Sequence, residues 1–189
     1  TKPLLHMWSL AVEEQFYILF PVYLYLASRF FKNKVGIATL AILLASLLYS
    51  IVIVYTALDD AYYSTPARAW ELMVGSVLAI YPRGRSQTPL MANFLTTIGL
   101  SAIIYSILFF TKETLFPGPM ALFPVIGSAL IIFAGESKKN FVGTILASDI
   151  FRYPGLISYS LYLWHWPVLV LYKMYAVGPL SDIEIAILI

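Results

Sequence analysis

The stretch His6-Met7-Trp8-Ser9-Leu10-Ala11-Val12-Glu13-Glu14-Gln15-Phe16-Tyr17 runs directly into an apolar segment, Ile18 to Phe31. The combined run is long enough to enter a bilayer, and it carries two adjacent carboxylates at its mouth. A charge at mid-bilayer costs about 2.5–3.5 kcal/mol on insertion scales, so an acid here is a functional candidate. At helical pitch His6, Ser9, Glu13, Tyr17 and Phe20 fall along one side. That stripe is polar at the membrane edge and apolar further in.

Composition supports a bilayer as the solvent. Hydrophobic residues make up 60% of the chain and charged residues 12%, where a soluble domain runs at about 25% charged. The mean hydropathy is +0.82. We read an integral membrane protein. The net charge of +2 gives no basis for nucleic-acid binding, and the absence of cysteine excludes a disulfide, a thiol nucleophile and a cysteine metal site. His6 and His165 are the only histidines and lack the local pair spacing of metal ligands. No phosphate-cradling glycine loop or nucleophile elbow is present. The chain lacks an initial Met and a signal-peptide pattern, and Ile185–Ile189 lies within an apolar run. Both features read as an internal fragment of a larger polytopic protein.

Spanning the hydrocarbon core takes roughly 20 apolar residues. Six runs reach or approach that length: Leu10–Phe31, Val35–Leu58, Ala67–Tyr81, Ala92–Thr111, Met120–Ala134 and Ile157–Tyr175. A seventh begins near Asp182. The expected fold is therefore all-α, a transmembrane bundle of six spanning helices plus the start of another. Phe141–Ala147 is too short to span and is expected at the surface. Pro124 should disturb the first turns of its run, and Phe116-Pro117-Gly118-Pro119 reads as a turn. Ala38/Ala41/Ala45 and Gly75/Ala79 have the small-residue spacing of close helix contacts. Arg29, Lys32, Lys34, Arg83, Arg85, Lys138, Lys139 and Arg152 gather on one side of this topology, which the positive-inside rule makes cytoplasmic. Glu13, Arg68 and Glu71 then lie near the outer ends of their helices.

Three constellations carry candidate chemistry. In the first, acids at a helix start also suit the macrodipole, so Glu13 and Glu14 have a structural reading beside the functional one. In the second, Thr65-Pro66-Ala67-Arg68-Ala69-Trp70-Glu71, Thr65 is a candidate N-cap and Pro66 suits the first helical position. Arg68 and Glu71 are spaced to pair on one face. A structural ion pair with an interfacial Trp70 anchor competes with an Arg68 that holds an anionic group or orients a carboxylate such as Glu13. In the third, Ser158-Tyr159-Ser160-Leu161-Tyr162-Leu163-Trp164-His165-Trp166-Pro167, residues Ser158, Tyr162 and His165 share a face. His165 is either a proton-handling or ligand-binding group, or a packed polar residue bonded to a neighbouring helix.

At these three stretches the sequence resembles the membrane-bound acyltransferase-3 family. The matching segments are Pro3 to Tyr17, Arg68-Ala69-Trp70-Glu71-Leu72 with Gly75, and Ile157 to Pro167, with Phe116-Pro117-Gly118 also fitting. The Trp164-His165-Trp166-Pro167 form looks most like members that carry a further C-terminal esterase-like domain outside the membrane. The resemblance implies a bundle of about ten helices, of which residues 1–189 would be a part. It implies transfer of an acyl group, most often acetyl, from cytoplasmic acyl-CoA to a hydroxyl of an extracytoplasmic glycan such as O-antigen or peptidoglycan. Acyl-CoA is then the donor substrate, with no permanently bound cofactor. The partners are a glycan or lipid-linked sugar and the bilayer, in a bacterial inner membrane. The family's catalytic His follows an Arg by eleven positions, and the matching positions here are Ala79 and Leu163, so that motif is expected upstream of Thr1. Glu13 and Arg68 remain as candidate catalytic residues. Trp8, Ser9, Tyr17, Glu71, Tyr162, His165 and Trp166 are candidates for substrate contact. The competing reading is a membrane transporter or flippase subunit that uses the same Glu, Arg and His for binding without chemistry.

Overall fold

The computed structural model describes residues 5–81, 88–111, 113–135 and 140–175, and every regular element among them is helical. The α-helices are α1 (Trp8–Phe31), α2 (Val35–Thr56), α3 (Leu58–Tyr63), α4 (Thr65–Ile80), α5 (Pro89–Phe109), α6 (Leu122–Ala134), α7 (Phe141–Leu146) and α8 (Asp149–Tyr175). The chain divides into two compact units, Thr1–Ala11 with Leu146–Ile189, and Val12–Ile145. Arg83, Arg85, Lys138, Lys139, Lys2, Lys112 and the run beginning near Asp182 lie outside the described residues.

In α2 the usual pattern of a soluble helix is reversed. Thr39, Leu43, Ser50 and Val54 are buried, at intervals of four and seven that make one stripe. Ile37, Leu40, Ile42, Leu44, Leu48 and Val52 are exposed. The hydroxyls thus sit on the packed side and the aliphatic side chains face outward. α5 repeats this, burying Ala92, Thr96, Gly99 and Ser106 while exposing Phe94, Ile98, Ile104, Ile107 and Leu108. Small and hydroxylated residues toward neighbouring helices, with large apolar ones outward, is the arrangement that works in lipid. Both helices are long and apolar enough to cross a membrane, and they are the two that meet that test among the described residues. α1 and α8 have the length, 24 and 27 residues, but carry charged and polar residues. α4 and α6, at 16 and 13 residues, fall short of the roughly 20 that a perpendicular crossing needs.

The core of the larger unit is Leu43 of α2, Trp70 and Met73 of α4, and Ala121, with Phe16, Val77, Phe116 and Val125 packed against it. Trp70 is therefore a core residue, 1% exposed, and not an interfacial anchor. Its indole N–H has no hydrogen-bond partner among the described residues. Ser46 locks α2 to α4. Its hydroxyl donates to the Pro66 carbonyl at 2.6 Å and accepts from the Trp70 amide at 3.0 Å. Those two backbone groups are four residues apart, the spacing of one helical rung. Tyr23 of α1 donates to Thr39 at 2.9 Å, since the one hydroxyl hydrogen of Thr39 goes to the Val35 carbonyl.

Several expectations change. α4 starts one residue early, and Ser64, not Thr65, is the N-cap residue, with no side-chain cap. The Thr65 hydroxyl donates instead to Gln15 of α1 at 2.6 Å. The packed stripe of α1 in this unit is Val12, Phe16, Phe20, Tyr23 and Ala27, with Phe16 stacked on Phe20 at 4.8 Å. Glu13 and Tyr17 lie beside that stripe and are exposed, because Val12 and Phe16 gain more from packing. α8 begins at Asp149 and passes through Pro154, well before Ile157. Pro124 is the third residue of α6, where a helix needs no N–H, so it disturbs nothing. α3 is a short helix that the apolar runs did not mark. α7 is held by Asn140, which bonds Thr96 at 3.0 Å and accepts from the Gly143 amide, while Asn93 accepts from the Phe141 amide.

The close helix contact also lies elsewhere than expected. Ala41, Ala45, Gly75 and Ala79 are exposed, and a Cβ on Gly75 would meet nothing within 4 Å. Gly99 of α5 and Gly127 of α6 form the contact. A Cβ on Gly127 would stand 2.7 Å from the Gly99 carbonyl oxygen, and one on Gly99 2.5 Å from that of Gly127. Gly127→Ala should therefore destabilise the protein by about 1–3 kcal/mol. Gly75→Ala should leave stability unchanged or raise it by up to about 1 kcal/mol, through helix propensity. Thermal unfolding of the full-length protein in nanodiscs compares the two. Equal melting temperatures would remove the α5–α6 contact from this description.

Candidate functional site

The polar residues gather in two places, one in each unit. In the unit of Thr1–Ala11 and Leu146–Ile189, Tyr162 of α8 is the organiser. Its hydroxyl donates to the carbonyl of His6, which can only accept, and therefore accepts from the hydroxyl of Ser9. This ties the start of α1 to the middle of α8. Around the His6 ring stand Tyr162 at 5.3 Å, His165 at 5.4 Å and Trp166 at 6.5 Å between ring centres. Both ring nitrogens of His6 are shut off from solvent and have no hydrogen-bond partner among the described residues. A buried polar nitrogen without a partner carries a desolvation cost, which a substrate group could offset.

His165 is fixed differently. Its Nδ1 lies 2.6 Å from the carbonyl oxygen of Tyr162 and 3.3 Å from that of Leu161. Two acceptors at Nδ1 require the hydrogen there, so the lone pair of the neutral ring is on Nε2. Both bonds run within α8, and among the described residues His165 makes none to a neighbouring helix. Ser158 shares the helical face but bonds the Gly155 carbonyl and is exposed. Trp164 is exposed, whereas Trp166 is half-buried beside His6. Trp8 is half-buried in the same unit. The sequence placed His6 on a polar stripe without giving it a role. The available signal was that the chain has two histidines, each among aromatic residues.

In the larger unit, Arg68 and Glu71 form the pair that their spacing predicts. Nη2 is 2.9 Å from Oε2 and Nε is 3.3 Å from Oε1, a forked contact. The two side chains are 18% and 16% exposed, so the pair is sheltered. The guanidinium carbon also lies 5.9 Å from the ring centres of Tyr62 and Phe116. Arg68 is thus bonded to Glu71 and not to Glu13. Glu13 and Glu14 are exposed, and among the described residues neither makes an ion pair. Tyr17 is exposed, with its ring 6.4 Å from that of Phe16. The sequence did not single out Tyr62, which belongs to the unmarked helix α3. Among the described residues no three His, Asp or Glu side chains could hold a metal ion.

Tyr162→Phe should lower stability by about 0.5–1.5 kcal/mol, the worth of the lost hydrogen bonds. Adding Ser9→Ala to it should cost much less than Ser9→Ala alone, because the Ser9 hydroxyl has already lost its acceptor. A double-mutant cycle on full-length protein measures this. Additive losses would mean that the two hydroxyls do not interact.

Comparison with known proteins gives this geometry a setting. The model of the acyltransferase-3 family, described as an acyltransferase domain, matches residues 1–188. The Bacillus subtilis protein YrhL is 33% identical over 186 residues, covering 90% of this chain and 29% of that protein. Peptidoglycan O-acetyltransferase OatA of Listeria monocytogenes is 28% identical over 186 residues, covering 90% and 29%. O-acetyltransferase OatA of Staphylococcus aureus is 31% identical over 188 residues, covering 93% and 31%. The chain thus spans about three-tenths of the length of these relatives. No solved structure matches it significantly.

Proposed function

The chain belongs to the acyltransferase-3 family, and on that premise we propose that residues 1–189 are part of the transmembrane domain of a bacterial O-acyltransferase. The reaction moves an acyl group, acetyl first among the choices, from acyl-CoA on the cytoplasmic side to a hydroxyl of an extracytoplasmic glycan. Peptidoglycan is the acceptor class we favour, since the name of the Listeria relative specifies it. The family match over nearly the whole chain carries this reading, and the outward-facing apolar surfaces of α2 and α5 support it. In this proposal α1, α4, α6 and α8 also lie in an inner-membrane bundle, the short ones tilted or embedded within it.

In the transfer, the acceptor oxygen attacks the thioester carbonyl, its proton passes to a base, and the thiolate of CoA leaves. Glu13 tunes or positions a histidine base, or itself takes the acceptor proton. Arg68, held by Glu71 as a fixed positive charge, stabilises the negative charge that develops on the thioester oxygen. Ser9, Tyr162, His165, Trp166 and Trp8 of the one unit, and separately Tyr17 of the other, are the substrate contacts of this proposal.

Deletion of the full gene should remove alkali-labile acetate from the peptidoglycan of the source cells, and the wild-type gene should restore it. Glu13→Gln at matched membrane levels should restore less than about a hundredth, the scale of losing acid–base catalysis. Unchanged acetate in all strains would count against this acceptor, and full restoration by Glu13→Gln against the role of Glu13. Arg68→Lys keeps the charge but loses the fork. It should fall well below wild type in the same assay while staying above Arg68→Ala.

A further inference from the structure

The larger unit holds a cavity of about 360 Å³, within the usual size range of small-ligand pockets, about 300–1,000 Å³. Its lining includes Tyr62 and Tyr63 of α3, Phe110, Thr111 and Thr114 of the connection after α5, and Phe116. We propose that this cavity is a subsite for a neutral pyranose ring of the acceptor glycan. This inference rests on the acyltransferase reading given above.

Three features of the lining point to that ligand. First, among the described residues the lining itself is made of aromatic, aliphatic and hydroxyl side chains and carries no charged one. Second, it combines aromatic rings with hydroxyls, and a pyranose offers apolar C–H faces and a rim of hydroxyls to match. The Tyr62 and Tyr63 rings meet edge to face at 5.5 Å and form a corner. Third, the threonine hydroxyl oxygens already accept backbone hydrogen bonds. The Thr111 amide donates to Thr114 Oγ1 at 2.9 Å, and the Glu113 amide donates to Thr111 Oγ1 at 3.3 Å. Among the described residues neither hydroxyl hydrogen has an acceptor, so each can be given to an oxygen of a ligand. An acyl chain offers no oxygen along its length to take these hydrogens, which favours a sugar over a lipid tail as the occupant.

The cavity also adjoins the charged pair. Tyr62 and Phe116 are the two rings against which the Arg68 guanidinium rests, and Glu71 holds that guanidinium. The aromatic wall is therefore braced before any ligand arrives, which lowers the ordering cost of binding. A sugar seated there would lie next to the group proposed to stabilise the transferring acyl oxygen.

The chain has no cysteine, which allows a direct test. Thr111→Cys is introduced into full-length protein freed of any other cysteine and placed in nanodiscs, with Leu58→Cys, also on the lining, as a second reporter. The rate of maleimide labelling is followed against an N-acetylglucosamine tetrasaccharide and, separately, against a hexadecanoyl chain. The proposal expects saturable protection by the tetrasaccharide and none by the acyl chain. Tyr63→Ala in the same background should weaken that protection about five- to tenfold, the scale of one lost aromatic contact. Protection by the acyl chain alone, or by neither probe at both reporters, would overturn it. Release of CoA from acetyl-CoA is measured in parallel on protein without the reporters. Its absence would count against the acyltransferase reading, whereas unprotected labelling beside active CoA release would overturn the sugar subsite alone.

Discussion

The hydroxyl of Ser46 holds the architecture of the larger unit in place. In lipid there is no hydrophobic force to press helices together, so packing and interhelical hydrogen bonds must do it. Ser46 donates to the Pro66 carbonyl and accepts from the Trp70 amide, both in the first turns of α4. It thereby fixes the depth and rotation of α4 against α2. Trp70 enters the core on that basis, and Arg68, on the same turns and paired with Glu71, is turned toward Tyr62 and Phe116. The Gly99–Gly127 contact plays the corresponding role for α5 and α6. Both devices depend on small side chains that leave room for the partner's backbone.

The charged pair follows from this framework. Arg68 and Glu71 are largely sheltered, and sheltered charges persist only where each meets a partner. Their forked contact holds the planar guanidinium in one orientation, 5.9 Å from the ring centres of Tyr62 and Phe116. That posture suits the role proposed for Arg68, which is to meet developing negative charge without rearranging. In the other unit His6 and His165 present contrasting environments. One ring has both nitrogens shut off from solvent and without a hydrogen-bond partner among the described residues, and the other is pinned by backbone carbonyls.

Much of the fold could be read from the sequence because apolar run length is a strong signal. α2 and α5 follow from their aliphatic composition, and the Arg68–Glu71 pair from its spacing alone. Helix rotation was less legible. On α1 the sequence put Glu13, Tyr17 and Phe20 along one side without saying which side packs, and in the structure Val12, Phe16 and Phe20 take the packed side while Glu13 and Tyr17 are exposed. On α2 the alanines at 41 and 45 had the expected small-residue spacing, yet the packed stripe runs through Thr39, Leu43, Ser46 and Ser50. Small-residue spacing marks a possible approach, and only the partner helix decides which one is used. Trp70 was misplaced for a similar reason, since an aromatic residue near a helix start suits an interface and a core equally. The cavity beside α3 was invisible, because its walls come from residues about fifty positions apart.

The most direct test of this account uses sealed membrane vesicles containing the full-length protein. Radiolabelled acetyl-CoA is supplied on the face corresponding to the cytoplasm, and an N-acetylglucosamine oligosaccharide is enclosed on the other. The account predicts an alkali-labile acetyl ester on the enclosed sugar, formed without leakage of CoA across the membrane. Labelled sugar only when donor and acceptor share a face, or uptake of the sugar with no acetyl transferred, would contradict it.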